Sequence, residues 1–587
     1  MDKLYNKALE LIKKAKYEKA FKILSKCAKN GHEKALYKLA ELYEEGNGVT
    51  QNYVMAFEIY SKFAIAGNVD AQCKLGKMYD TGLGVIQNFE KSKYWYLKAI
   101  EQNNDIAYNL GEIYKNGYGV KIDYEKAAFW YNKAIELCDI NTYAFNNAMF
   151  VLGMLYANGL GVEKDYDKAI SYLTITAEKG VAKAQNALGY MYVKGFGVKQ
   201  DYNIANEWFK KAADQGYTEA YRNLGVDYYK GQGFKQDYEK AVFWFTKAID
   251  KGDDVALLYL GEMYYWGNGV KQDYEKALDV FFRSASKGNV KAQYYVGLCY
   301  EKGHGTRQHY ELAVEWYTKA AENGHAKAQN SLGYMYVNGL GVTKNYKTST
   351  YWFRKSAEQG YYSGQFNLGV NYEKGLGVHI DYKKAVYWYT MSANQGFVKA
   401  QHVIGNMYYN GLGVDKDYKK AIDWYTKAVE QGYSDAQVSI GICYEYGYGV
   451  KQDYKIAMDW YTKAAKQDNA TALLNLGNLY SVGRGVKQDH KKAYDYYLES
   501  AIAGNKIAQL NVGVYYYNGS GVNKDFKKAF YWYKLSAKQG YDKAQFYLGD
   551  MYYYGLGVNK NPVEAKYWYT KAAEQGNEDA KAALKKF

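Results

Sequence analysis

Proline and long apolar runs are almost absent from this chain of 587 residues. A single proline excludes proline-rich linkers and suits a largely helical chain. No segment approaches the roughly 18 consecutive apolar residues that are needed to cross a bilayer. The N-terminus leads directly into an amphipathic pattern and lacks the apolar stretch of a signal peptide. We therefore expect a soluble, cytoplasmic protein without a membrane partner.

Cysteine and histidine are also sparse and scattered. Five cysteines, an odd number and far apart, do not suggest a disulfide framework or a zinc site. They are Cys27, Cys73, Cys138, Cys299 and Cys443. The seven histidines lie in several different repeats, and we expect them to be solvated loop residues: His32, His304, His309, His325, His379, His402 and His490. The sequence predicts no metal, no cofactor and no catalytic residue.

The positive charge is concentrated at the two ends of the chain. The formal net charge is +15, but residues 1–30 and the last seven residues hold much of it. A nucleic-acid groove would carry its positive charge along the whole repeat array. A protein or peptide is therefore the expected partner. RNA binding through tyrosines that stack on bases stays an alternative, because the chain contains 71 tyrosines.

A repeat of 36 residues dominates what the sequence does contain. Its clearest copy, residues 333–342, reads GYMYVNGLGV, and near copies recur from end to end. The first glycine of each copy is Gly76, Gly111, Gly153, Gly189, Gly225, Gly261, Gly297, Gly333, Gly369, Gly405, Gly441, Gly477, Gly513 or Gly549. The spacing falls to 35 before Gly111 and rises to 42 before Gly153. Such a period predicts stacked units that each bury an apolar face against their neighbours.

Each unit reads as two helices joined by a glycine turn. In the unit at Gly333, Ala328, Leu332 and Tyr336 share one face of the first helix, which we expect to face the core. The helix should end at Gly339, where a Gly-x-Gly turn reverses the chain. Glycine inside a helix costs about 1 kcal/mol relative to alanine. Its recurrence therefore predicts a close approach of the paired helix.

The second helix begins with a capping residue, Asp or Asn, in nearly every unit. The lone proline, Pro562, follows the predicted cap Asn561 and so falls at the first helical position, where proline is tolerated. This agreement supports the phase of the alignment. His309 is the one departure from the capping pattern.

These motifs resemble a known repeat family. Residues 188–198 contain Leu-Gly-x-Met-Tyr followed by Gly-x-Gly-Val, and residues 417–428 read Asp-Tyr-x-Lys-Ala-x-x-Trp-Tyr-x-Lys-Ala. This pattern resembles the Sel-one-like repeat (SLR), and the resemblance extends over about residues 31–577. The resemblance implies an all-α fold, a right-handed superhelical α/α solenoid of about fifteen 36-residue helix-turn-helix repeats related to tetratricopeptide repeats. It also implies a non-enzymatic scaffold or adaptor. An enzyme or enzyme inhibitor stays an alternative.

Three segments follow from this alignment. Residues 1–30 are predicted to be an N-terminal capping helix pair, residues 31–577 the repeat array, and residues 578–587 a C-terminal capping helix. Six extra residues near 136–149 are either a tolerated loop insertion or a protrusion that a partner grips. We expect Tyr143 and the residues after it to extend the first helix of that unit.

The outward face of the first helices is the candidate binding surface. By analogy with tetratricopeptide repeats it should line a concave groove, with a peptide or partner domain as ligand. The candidate contact residues are Tyr229, Leu258, Tyr265, Tyr294, Leu298, Tyr334, Phe366, Val370, His402, Tyr409, Val438 and Ile442. The apolar run Tyr294, Leu298, Tyr334, Phe366 and Val370 is the strongest part. Each residue could instead pack between neighbouring first helices, and the oligomeric state is left open.

Overall fold

The computed structural model describes residues 1–118 and 120–587, and its regular secondary structure there is entirely α-helical. The predicted all-α helical-repeat fold is thereby confirmed. Below, odd-numbered helices from α3 to α31 are the first helices of the repeats, and even-numbered helices from α4 to α32 are the second.

The chain forms two compact units, which are residues 1–287 and residues 288–587. The helices of the first unit are α1 (Asp2–Lys13), α2 (Tyr17–Lys29), α3 (Glu33–Glu45), α4 (Tyr53–Ile65), α5 (Val69–Thr81), α6 (Phe89–Ile100), α7 (Asp105–Asn116), α8 (Tyr124–Leu137), α9 (Tyr143–Asn158), α10 (Tyr166–Glu178), α11 (Ala182–Lys194), α12 (Tyr202–Asp214), α13 (Thr218–Lys230), α14 (Tyr238–Asp250), α15 (Asp254–Trp266) and α16 (Tyr274–Ser286).

The second unit continues the same alternation of first and second helices. Its helices are α17 (Val290–Lys302), α18 (Tyr310–Glu322), α19 (Ala326–Asn338), α20 (Tyr346–Glu358), α21 (Tyr362–Lys374), α22 (Tyr382–Asn394), α23 (Val398–Asn410), α24 (Tyr418–Glu430), α25 (Ser434–Tyr446), α26 (Tyr454–Ala465), α27 (Ala470–Val482), α28 (His490–Ile502), α29 (Lys506–Asn518), α30 (Phe526–Lys538), α31 (Asp542–Tyr554), α32 (Pro562–Glu574) and α33 (Glu578–Leu584).

The Gly-x-Gly turn has the predicted left-handed glycine conformation. Gly339 ends α19 with φ +71°, a left-handed conformation that favours glycine. Gly341 also has a positive φ, and a Cβ there would lie 2.4 Å from the carbonyl carbon of Tyr310. Gly341 is therefore required both for its positive φ and for lack of space, because the turn lies against the start of α18.

The glycine inside each first helix is explained by an aromatic ring. A Cβ on Gly333 would lie 2.6 Å from the ring of Phe353, twenty residues later on α20. In the unit at Gly153 the opposing side chain is Leu173, and the nearest approach is a wider 3.0 Å. The predicted close approach of the paired helix is confirmed, and the contact that needs it is a buried side chain.

A side chain caps the start of each second helix described below, and His309 also acts as a cap. Asn345 accepts a hydrogen bond from the amide of Thr348 at 3.1 Å, as the sequence predicts for this position. His309 accepts one from the amide of Leu312 through Nδ1, at 3.3 Å. Reading His309 as a departure from the cap was therefore wrong, since a neutral imidazole nitrogen can accept the same bond.

Buried glutamines connect consecutive units. Gln329 donates to the carbonyl of Ala321 at 3.0 Å, and Gln359 donates to the Gln329 side-chain oxygen at 2.7 Å. The same pair recurs one unit later, where Gln395 donates to Gln365 at 2.8 Å. Because Gln329 and Gln365 are buried and their amides are hydrogen-bonded, these two joints gain specificity without an unpaired polar group.

The irregular segments fold as helices where the sequence predicts them. Helix α9 begins at Tyr143 and has 16 residues, which confirms the extended first helix. Residues 1–30 form α1 and α2, and α33 follows the last repeat. The role of these terminal helices as caps stays a prediction.

Candidate protein-interaction surface

The outward side of the first helices, called here the first-helix face, is clearest on α19. Leu332 and Met335 are buried on the inner side of this helix. Lys327 and Tyr334 point the other way and are exposed, with half of the Tyr334 side chain accessible. A large aromatic side chain held this far out on a rigid helix is an available contact for a partner.

The neighbours of Tyr334 in the predicted apolar run are less exposed. Leu298 and Val370 are half-buried. The Phe366 ring lies 5.2 Å from Phe397 and 5.4 Å from Tyr389, measured between ring centroids. Phe366 therefore belongs to the joint between two units as well as to the first-helix face.

Tyr294 has a similar double position. Its ring centroid lies 4.9 Å from that of His325, the residue that caps the next first helix. It also lies 5.8 Å from Tyr317 of the paired second helix. The structure thus places one freely projecting aromatic group, Tyr334, beside half-buried apolar groups that form a floor.

The other predicted contact residues divide by burial. Leu258, Tyr265 and Val438 are buried, and Val438 packs with Tyr461 in a core cluster. The half-buried members are Tyr229, His402, Tyr409 and Ile442. The buried three can influence a partner only by supporting neighbouring residues.

Asparagine pairs link consecutive first helices, and the sequence did not predict them. Asn367 on α21 donates through Nδ2 to Oδ1 of Asn330 on α19, at 2.8 Å. His402 and Ser439 occupy the corresponding positions two repeat units further on, with 3.0 Å between Nε2 and Oγ. These pairs set polar atoms beside the apolar floor, where a peptide backbone requires hydrogen-bond partners.

Carboxylates on the first helices are already engaged by buried tyrosines. The hydroxyl of Tyr389 donates to Glu373 at 2.6 Å, and that of Tyr461 donates to Glu445 at the same distance. Burial and the adjacent carboxylate raise the pKa of both phenols far above the usual value. These tyrosines remain protonated, so the bonds hold the glutamates in fixed positions.

Two histidines are not the solvated loop residues that the sequence suggested. His325 is half-buried against Tyr294, and burial, with repulsion from Lys327 and Lys291, lowers its pKa to about 4. His402 lies within α23 beside Tyr425 and Tyr433, and burial lowers its pKa as well. Both are therefore neutral packing groups at neutral pH.

Other site types receive no support from residues 1–118 and 120–587. Within that part of the chain, no three His, Cys, Asp or Glu side chains are grouped so that they could hold a metal ion. No helix there is both long and apolar enough to span a bilayer. All five cysteines are free thiols, and four of them are buried.

The fold defines an all-α helical-repeat protein. The family model of the Sel1 repeat matches fifteen consecutive segments, which are 33–68, 69–104, 107–137, 146–181, 182–217, 218–253, 254–289, 290–325, 326–361, 363–397, 398–433, 434–469, 470–505, 506–541 and 542–577. The chain belongs to the Sel1 repeat family, which confirms the resemblance and the count of fifteen repeats. Proteins of this family are in general scaffolds for protein–protein interaction.

Solved structures show the same relationship. The chain is 41% identical to c5321, a protective antigen present in uropathogenic Escherichia coli strains that displays an SLR fold. That match covers 71% of this chain and 90% of the other, with a TM-score of 0.58. A Sel1 repeat protein from Oxalobacter formigenes is 31% identical over 52% of this chain and 90% of its own, with a TM-score of 0.44. No curated protein matches the chain.

Proposed function

We propose that this chain is a non-enzymatic adaptor that binds a peptide or a partner domain on its first-helix face. The observation that carries the proposal is Tyr334, half exposed beside the half-buried Leu298, Phe366 and Val370 of the neighbouring first helices. Aromatic side chains that project from a rigid surface beside apolar pockets are typical anchors of protein interfaces. The nearby asparagine pair offers polar contacts to a backbone.

The remaining candidate residues contribute to this surface according to how exposed they are. Tyr229, Tyr294, His402, Tyr409 and Ile442 are half-buried and offer part of their surface to the ligand. Leu258, Tyr265 and Val438 are buried, so they contribute by packing under the residues that contact the ligand. A cytoplasmic location is part of the proposal and is supported by the five free thiols.

The test uses Tyr334→Ala alone, because Phe366 also packs against the next unit. The matched control is Tyr351→Ala, since Tyr351 is 52% exposed but lies on the second helix α20. Full-length wild type and both variants are used to capture partners from native lysate after nuclease treatment. The expected result is a protein that wild type and Tyr351→Ala retain and Tyr334→Ala loses. A partner that all three retain equally would contradict the proposed face, and capture abolished by nuclease would indicate RNA.

A further inference from the structure

A longer repeat of 144 residues is superimposed on the 36-residue repeat. Residues 182–325 and 326–469 correspond four units apart, so that GYMYV recurs identically at 189–193 and 333–337. The next three units read GVDYY, GEMYY and GLCYE in the first block and GVNYE, GNMYY and GICYE in the second. The longer period includes buried positions, such as Cys299 and Cys443, as well as outward ones, such as Tyr190 and Tyr334. A block of four units is therefore repeated as a whole, together with its outward side chains.

The structure builds the same arrangement in both compact units. In residues 1–287, Tyr190 on α11 is 47% exposed, and in residues 288–587, Tyr334 on α19 is 50% exposed. Asn223 donates to Oδ1 of Asn186 at 2.8 Å, which matches the bond from Asn367 to Asn330 in length and in spacing. Two positions separated by four units thus present the same tyrosine beside the same amide pair.

The first of these positions opens into a cavity of about 360 Å³. Phe150 and Met154 supply apolar walls, and Lys183, Tyr190 and Asn223 also line it, together with Glu219 and with Arg222, which forms an ion pair with Asp253. The aligned residues of the second position are Tyr294, Leu298, Lys327, Tyr334 and Asn367. An aromatic group, an aliphatic group, a lysine, a tyrosine and an asparagine therefore recur in the same order.

Lys183 indicates the chemistry of the ligand at the first position, and Lys327 is its exposed counterpart at the second. Lys183 is half-buried, donates to Oδ1 of the neutral Asn147 and lies 4.6 Å from the centroid of the Phe150 ring. Burial lowers the pKa of its ammonium group. Within residues 1–118 and 120–587, neither Lys183 nor Lys327 forms an ion pair with a carboxylate, although the more distant charge of Glu112 acts on Lys183. A partly desolvated cation beside an apolar wall favours a ligand that brings its own carboxylate.

We propose that the chain has two equivalent peptide sites, one around Tyr190 and one around Tyr334. Each site takes an extended segment in which an apolar side chain is adjacent to an acidic one. The apolar side chain packs against Phe150 and Met154 in the first site, or against Tyr294 and Leu298 in the second. The carboxylate pairs with Lys183 or Lys327. This inference rests on the proposed adaptor function and extends it to a partner that is bound twice.

The partial third block of the chain shows what the site requires. At the aligned positions of the unit at Gly477, Thr471 replaces the lysine and Asn478 replaces the tyrosine. The Asn478 side chain is engaged by the hydroxyl of Tyr497 at 2.9 Å. The backbone repeat continues there without the ligand-binding side chains, so two sites are expected and not three.

The test begins with a random peptide library displayed on phage and selected on the full-length chain. An enriched peptide is synthesised and titrated by calorimetry. We expect apolar–acidic sequences and two peptides per chain. Tyr190→Ala and Tyr334→Ala should each leave one bound peptide, and the double variant none, whereas Tyr351→Ala should leave both. Replacement of both lysines by glutamine should weaken binding by on the order of tenfold.

The possible failures are distinguishable. One peptide per chain that only Tyr334→Ala abolishes would overturn the second site and leave the adaptor function intact. Binding that neither tyrosine variant affects would overturn both. A library that yields no binder would overturn the peptide ligand, and equal affinity in the lysine variant would overturn the acidic group. Circular dichroism and thermal unfolding of each variant show whether the fold is retained.

Discussion

A buried aspartate makes one joint of the array sensitive to pH. Asp227 is 3% exposed on the inner side of α13, where methionine is the commonest residue in the other units. Its Oδ2 atom and Oδ1 of Asn206 are both buried without a hydrogen-bond partner. Burial raises the pKa of Asp227 from 3.8 to about 7, against the opposing effect of the Lys230 charge. The folded state therefore favours the protonated carboxyl.

Four units later, Thr350 and Asn371 are aligned with Asn206 and Asp227, and there an amide side chain forms the missing hydrogen bond. Asn371 donates to Oγ1 of Thr350 at 2.8 Å, and that hydroxyl donates to the carbonyl of Leu376. Asp227→Asn should supply the same kind of donor toward Oδ1 of Asn206. The variant removes the ionisable group and keeps the shape of the side chain.

The sign of the pH dependence follows from the raised pKa. Below pH 3.8 the carboxyl is protonated in both the folded and the unfolded state, so it has no differential effect. Between pH 3.8 and about 7 the unfolded state loses its proton first, and the stability of this joint falls. The loss levels off above pH 7 at about 4 kcal/mol, because each pKa unit is equivalent to about 1.4 kcal/mol.

The assay is amide hydrogen exchange of α12 to α14, read by mass spectrometry, because a repeat array opens locally. Wild type and Asp227→Asn are compared at the same pH, which cancels the intrinsic pH dependence of exchange. The variant should be much better protected at pH 8 and nearly equal to wild type at pH 4. Asn371→Asp is the reciprocal variant and should make α20 to α22 lose protection as pH rises. Equal protection of wild type and Asp227→Asn at pH 8 would refute the reasoning.

Three further predictions concern the repeat unit and its surface. Gly333→Ala should destabilise its unit by about 1–3 kcal/mol because the new methyl meets the Phe353 ring, whereas Gly153→Ala should cost less against Leu173; denaturant unfolding of both variants compares them. Asn345→Ala should lower stability by about 1 kcal/mol and Asn345→Asp should retain it, measured in the same way. Tyr334→Ala should leave the thermal unfolding curve nearly unchanged while partner capture is lost; a large fall in the melting temperature would show that Tyr334 is a packing residue.

The helices were predictable because their signals are local. The Gly-x-Gly turn at Gly339 and the cap at Asn345 depend on conformation and hydrogen bonding within a few residues, and both are found as expected. The exposure of a first-helix residue is not local. Phe366 is half-buried because Phe397 of the next unit covers it, and nothing near Phe366 in sequence shows this. The glutamine joints were missed for the same reason, since Gln329 and Gln359 are thirty residues apart.

The two periods of the sequence serve different physical purposes. The 36-residue period satisfies conditions that every unit shares, such as the space that Gly189 and Gly333 leave for the Phe209 and Phe353 rings. The 144-residue period repeats buried residues, such as Cys299 and Cys443, together with exposed ones. It therefore brings the same exposed tyrosine, Tyr190 or Tyr334, and the same kind of amide pair to two places on the chain. A partner with two copies of one motif would gain affinity from two such sites on one chain, through the effective concentration that the first contact creates. Loss of either tyrosine should then reduce capture of the intact partner far more than it reduces binding of a single peptide.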